Sequence, residues 1–144
     1  MEKEKTCKII FSDIDGTLLT SDGQITEGTK EMILNLERKG IPFILTSARS
    51  PEGVRVIKRM LGNHAPIIAF CGGLILDNDG NEIYSKMIPL KRALELKAML
   101  DKDFPAVACN TFGGEKWIVD DRDDWREQRE ERIVGFPAEI GSIK

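Results

Sequence analysis

Short apolar runs and longer amphipathic stretches alternate through the first half of this chain. Residues 8–12, KIIFS, are rich in β-branched and aromatic side chains and read as a buried strand. The pair Asp15-Gly16 breaks that run with a turn signal. Over residues 26–38 the apolar side chains Met32, Ile33, Leu34 and Leu36 recur at helical spacing. Thr26 stands at the N-cap and Lys39-Gly40 at the stop. Residues 41–45, IPFIL, form a second buried-strand pattern, with proline near the start where a strand tolerates it. Ser50-Pro51 then opens a second helix, serine as cap and proline in the first helical position, and Leu61-Gly62 closes it. Residues 66–70, PIIAF, give a third strand. Strand, helix, strand, helix, strand predicts a parallel sheet with right-handed crossovers. A site in such a sheet lies at the carboxyl ends of the strands, and Asp13, Ser47 and Cys71-Gly72-Gly73 all fall there.

The pattern changes after Gly73. Residues 74–77 and 82–84 flank Asn78-Asp79-Gly80-Asn81 as a hairpin. Residues 90–100 read as a helix, 106–110 and 116–119 as antiparallel strands around Gly113-Gly114, and 123–131 as a polar, solvent-facing helix. The chain reaches Lys144 without a closing element in this pattern. The fold class is therefore α/β, a partial Rossmann-like parallel sheet over residues 1–86, followed by an incomplete α+β unit over residues 87–144.

Composition narrows the partners. The 144 residues suffice for a real core, and 41% hydrophobic with 31% charged residues reads as globular rather than disordered. A net charge of −3 gives no global pull toward nucleic acid or an anionic membrane, so neither is expected as a partner. An anionic substrate then needs a local positive site, such as a metal ion or a helix N-terminus. Cys7, Cys71 and Cys109 are too scattered for a disulfide framework. With the charged opening of residues 1–5 and no apolar run of spanning length, they point to the cytoplasm. His64, the only histidine, reads as a surface loop residue, and Trp117 and Trp125 as packing. The acidic stretch 120–124 lacks the glycine a Ca²⁺ loop needs and reads as a solvated turn.

The chemistry concentrates in Phe11-Ser12-Asp13-Ile14-Asp15-Gly16-Thr17-Leu18-Leu19. Two carboxylates at i and i+2 leave an extended strand toward one side. Asp13 suits a carboxylate nucleophile that forms an aspartyl-phosphate, and Asp15 a general acid that later serves as base. Gly16 permits the tight turn. Mg²⁺ suits this oxygen-rich, phosphate-facing setting. The plain alternative, a hairpin turn at Asp15-Gly16, leaves unexplained why a helix rather than a partner strand follows.

DIDGTLL, residues 13–19, resembles the first motif of the haloacid dehalogenase-like (HAD) phosphatases. The resemblance implies Asp13 as nucleophile, Asp15 as general acid/base and Thr17 as a support of the loop. It implies Mg²⁺ held by the Asp13 side chain and the Asp15 backbone carbonyl. Residues 44–49, ILTSAR, resemble the second motif, which puts the Ser47 hydroxyl and the backbone at Ala48 and Arg49 on the phosphate, with Arg49 steadying the loop or facing substrate. Residues 67–75 are similar to the Cof-type branch, in which Asn-Gly-Ala is usual where Cys71-Gly72-Gly73 stands here; Cys71 then reads as a small buried hydrophobe. Residues 117–128 resemble the first half of the Cof-type cap, which in that family selects substrate. The implied activity is Mg²⁺-dependent hydrolysis of a small phosphorylated metabolite, sugar-phosphate-like. The family pattern also includes a later Lys and a Gly-Asp segment, and no Gly-Asp pair occurs in this sequence. The resemblance accordingly implies the front half of a longer protein, whose open sheet edge would favour self-association. A non-catalytic fragment or binding module stays open as the alternative.

Overall fold

The computed structural model describes residues 7–143, so the expectation for the charged opening at residues 1–5 lies outside the described residues. Two compact units divide at Ser85 and Lys86.

The first unit is a five-stranded sheet with two helices. The strands are β1 (Ile10–Asp13), β2 (Phe43–Thr46), β3 (Ile67–Ala69), β4 (Leu74–Leu76) and β5 (Glu82–Ser85), in spatial order β1-β2-β3-β4-β5. β1–β2 and β2–β3 are parallel, with Asp13 opposite Thr46. β3–β4 and β4–β5 are antiparallel, so the hairpin at residues 74–85 joins the same sheet and makes it mixed. Helix α1 (Glu27–Arg38) connects β1 to β2, and the Thr26 hydroxyl oxygen accepts the Thr29 N–H at its start. Helix α2 (Pro51–Leu61) connects β2 to β3. Its Val54, Ile57 and Leu61 recur at i, i+3 and i+7 and are buried on one stripe. They meet Leu45, Ile67, Ala69, Leu74 and Leu76 from the sheet and Ile14 from the loop after β1.

Two connections position the loops at the ends of the strands. Asn63, buried after α2, donates through Nδ2 to the Phe43 carbonyl at 2.7 Å and accepts the Ala65 N–H at 2.7 Å, tying the entrance of β3 to that of β2. At the far end β3 stops in a left-handed reversal, φ +51° at Phe70 and +53° at Cys71. That unfavourable backbone is held by hydrogen bonds: Phe70 N–H to the Arg49 carbonyl at 3.0 Å and Cys71 N–H to the Ser47 carbonyl at 2.9 Å. The reversal lifts residue 71 out of the sheet, and Cys71 is exposed, which corrects the expectation of a buried small hydrophobe.

The second unit contains helix α3 (Leu90–Asp103), strands β6 (Thr111–Gly113) and β7 (Lys116–Val119), helix α4 (Trp125–Val134) and strand β8 (Glu139–Ile140). β6 and β7 are antiparallel and β7 and β8 parallel. Trp117, Val119 and Ala138 form a small core with Val134 and Phe136. The Trp117 ring stacks on Phe112, centroids 5.8 Å apart, and meets Phe136 edge-on at 5.4 Å.

Four expectations change here. Residues 106–110 are not a strand: the hairpin closes over Gly114-Glu115, with Gly114 at φ +60°, so pairing counts back only from Gly113 to Thr111. The polar helix is not wholly solvent-facing, since Glu127 is 2% exposed. Trp125, expected to pack, is 67% exposed. A further short strand that the pattern did not mark, β8, pairs parallel alongside β7.

Candidate active site

The parallel pairing of β1 and β2 brings the two motif loops to one end of the sheet. Asp13 is the last residue of β1 and is exposed; its register partner Thr46 is the last of β2, and Ser47 follows directly. Ile14 is fully buried between the exposed Asp13 and Asp15, so the strand alternation continues just far enough to put both carboxylates outside the apolar core. The chain then turns at Gly16, φ +76°, a value that favours glycine, and Leu19 N–H closes the loop on the Ile14 carbonyl at 3.0 Å. Thr17 Oγ1 donates to Asp13 Oδ2 at 3.4 Å, a long contact that steadies the carboxylate.

Asp15 has a firmer partner. Arg49 Nε donates to Asp15 Oδ2 at 2.9 Å and Nη2 to Oδ1 at 2.7 Å, a two-pronged pair across 34 residues. These hydrogen bonds hold the Asp15 carboxyl below the usual carboxylate range, against a smaller opposing effect of burial. Gly53 lies close beneath Arg49: a Cβ added there would stand 3.2 Å from Arg49 Cβ.

Ser47 is buried, and its Oγ accepts the Arg49 N–H at 3.1 Å. That bond shapes the turn, and the hydroxyl keeps its own proton for a further acceptor. Ala48, between them, is exposed. The sequence-derived residues thus gather as two groups, Asp13 with Thr17 and Asp15 with Arg49, with Ser47 at the end of the neighbouring strand. Sequence reasoning missed the grip of the Phe70 and Cys71 N–H groups on the Arg49 and Ser47 carbonyls; backbone pairing of this kind leaves no residue signature.

A family model for haloacid dehalogenase-like hydrolases matches residues 10–139. The chain belongs to this family. This HAD-like chain is 36% identical over 124 residues to a Haemophilus influenzae protein named "Putative phosphatase", covering 80% of this chain and 47% of that protein. The crystal structure of a haloacid dehalogenase-like hydrolase from Bacteroides thetaiotaomicron superposes with a TM-score of 0.85 at 20% identity, over 95% of this chain and 52% of that one. A HAD subclass IIB sugar phosphatase superposes with a TM-score of 0.72 at 20% identity, over 94% and 53%. At such identities the two structures establish the shared fold. The HAD-like chain spans about half the length of these relatives. Among its described residues no helix is long and apolar enough to cross a membrane.

Proposed function

We infer that this chain supplies the nucleophile loop of a phosphomonoester hydrolase, with Asp13 attacking phosphorus. The observation that carries the reading is the exposed Asp13 carboxylate at the carboxyl end of a strand parallel to the one that presents Ser47. An Asp13 oxygen bonds to phosphorus as the ester P–O bond breaks, giving an aspartyl-phosphate, and Asp15 protonates the departing oxygen. Water then attacks the aspartyl-phosphate, Asp15 takes its proton, and phosphate leaves with Asp13 regenerated. The Ser47 hydroxyl and the backbone at Ala48 and Arg49 serve the phosphoryl oxygens. For Asp15 to carry a proton, Arg49 has to release it, so the arrangement described above is the resting, ionised state of that pair.

The donor set suits Mg²⁺. Among the described residues no three His, Cys, Asp or Glu side chains cluster as metal ligands. Mg²⁺ is commonly held by only one or two carboxylates, with water and substrate phosphate completing its shell. The Asp13 carboxylate and the Asp15 backbone carbonyl would hold it, and when bound it offsets the charge repulsion between carboxylate and phosphate. The family resemblance supports a small, sugar-phosphate-like substrate, and the second unit serving as part of a cap that selects it.

Beryllofluoride with Mg²⁺ tests the Asp13 assignment directly. A bound fluorine signal that Asp13→Asn abolishes is the expected result, and an identical signal in that variant would remove the assignment. Steady-state hydrolysis of para-nitrophenyl phosphate by the same chain separates turnover from phosphoryl capture alone. Capture without turnover would favour the second reading, a non-catalytic fragment or binding module.

A further inference from the structure

Helix α2 carries a buried glycine, Gly53, in its first turn, although glycine is a poor helix former. Its backbone is not in the left-handed region, so conformation does not account for the residue. Space does. A Cβ added at Gly53 would stand 3.2 Å from Arg49 Cβ, 3.5 Å from Ser50 Oγ and 3.6 Å from Arg49 Cδ. These nearest atoms belong to the turn before the helix, and not to the apolar core beneath it.

Neither side of that contact is free to move. The Arg49 N–H donates to Ser47 Oγ at 3.1 Å, and the Arg49 carbonyl accepts the Phe70 N–H at 3.0 Å. The Gly53 N–H donates to Ser50 Oγ at 3.4 Å, and Pro51 stiffens the same turn. From this pinned backbone the Arg49 side chain, 10% exposed, reaches across to its two-pronged grip on Asp15. The Asp15 side chain is 57% exposed, so the guanidinium rather than packing sets its direction.

We propose that Gly53 is a positioning residue for Asp15, acting through Arg49. The missing side chain leaves the room that Arg49 needs where it passes the start of α2. A methyl group at residue 53 forces Arg49 Cβ to give by a few tenths of an ångström. The shift grows along the side chain to hydrogen bonds of 2.9 and 2.7 Å, whose paired geometry leaves little tolerance. The catalytic weight of this arrangement rests on the acid–base role proposed for Asp15. The seating of Arg49 by Gly53 does not.

Gly28 is the matched control, a glycine in the first turn of α1 with nothing within 4 Å of a Cβ added there. On helix preference alone, Gly28→Ala and Gly53→Ala both stabilise. In the ¹⁵N-labelled chain the Arg49 Nε–H signal, identified by its loss in Arg49→Lys, exchanges slowly in the parent and in Gly28→Ala. In Gly53→Ala it exchanges about tenfold faster or disappears, the order of effect of one charge-assisted hydrogen bond. The Asn63 side-chain amide, bonded to the Phe43 carbonyl, keeps its position and reports an intact first unit. Where the parent turns over para-nitrophenyl phosphate, Gly53→Ala lowers kcat about tenfold with KM little changed, because binding is kept and orientation lost. An unchanged Arg49 signal in Gly53→Ala would overturn the proposal. So would joint loss of the Asn63 signal, since Gly53 would then serve the packing of α2, and so would an unchanged kcat once the pair is lost. Gly53→Ala leaves beryllofluoride capture at Asp13 intact, so a failure of capture in the parent counts against the Asp13 assignment alone.

Discussion

Arg49 holds both oxygens of Asp15, at 2.9 and 2.7 Å, and so ties the loop after the first strand to the loop after the second. Removing the guanidinium removes the main cause of the depressed Asp15 carboxyl. In Arg49→Ala the Asp15 titration, followed by carboxyl ¹³C NMR, moves up toward the ordinary carboxylate range. Arg49→Lys recovers part of the effect, because an ammonium does not reproduce the planar two-pronged fit. An Asp15 titration identical in all three proteins would show that the pair does not exist in solution.

A linked expectation concerns acid. Asp15 has a lowered folded-state pKa, so its pairing stabilises the fold above the unfolded value of 3.8 and is lost as pH falls through the folded value. The stability difference between the parent chain and Arg49→Ala therefore narrows as the pH is taken down through that window. Urea unfolding at a series of pH values reads it, and a difference that stays constant down to the lowest pH would refute the coupling.

Glu127 runs the opposite way. Burial raises its carboxyl above 4.5, in spite of the Asn110 hydrogen bond that lowers it. The folded state then binds a proton more readily than the unfolded state. Its contribution is most favourable below the unfolded value and declines as pH rises through the raised folded value. Glu127→Gln abolishes this dependence, so the variant gains on the parent as pH rises above the unfolded value of 4.5. Parallel stability curves for the two proteins would contradict the buried setting of this acid.

Asn63 is a structural rather than chemical test. Its side chain satisfies the Phe43 carbonyl and the Ala65 N–H, both at 2.7 Å. Asn63→Ala leaves two buried backbone groups unpaired and costs about 1–3 kcal/mol in denaturant unfolding. A change within error of zero would mean that water replaces the amide.

Core and surface leucine-like positions separate by the same measurement. Leu45, on the strand between β1 and β3, is 1% exposed, and Leu45→Ala costs about 2–5 kcal/mol. Met32, on α1 yet 61% exposed, changes stability by less than about 0.5 kcal/mol on truncation. A similar cost at both positions would contradict the burial pattern.

The legible parts of the molecule were those with strong local chemistry. Thr26, Ser50 and Pro51 marked the helix starts because a cap is a short-range interaction between a side chain and the next turn. Asp13 fell at the end of β1, and Asp15 and Ser47 just past strand ends, because hydrophobic runs stop where the chain leaves the sheet. The parts that were not legible depend on contacts distant in sequence. Nothing local marks Asn63 as the tie between two strand entrances, or Glu127 as buried within a run of charges, since its partner Asn110 is 17 residues away. The exposure of Cys71 follows from two successive left-handed residues, neither of them glycine, whose N–H groups the Arg49 and Ser47 carbonyls hold.

Helix α3 has no fully buried residue, with Ala93, Lys97 and Leu100 only half-buried, and Lys97 bridges Asp101 of the same helix at 2.5 Å and Asp120 just past β7 at 2.8 Å. An element with little buried surface and an ion pair to the neighbouring strand end responds to the medium. As dissolved salt shortens the Debye length from about 10 Å at 0.1 M toward 3 Å at 1 M, the amides of this helix should exchange with solvent sooner than those of the tryptophan-centred sheet beside it.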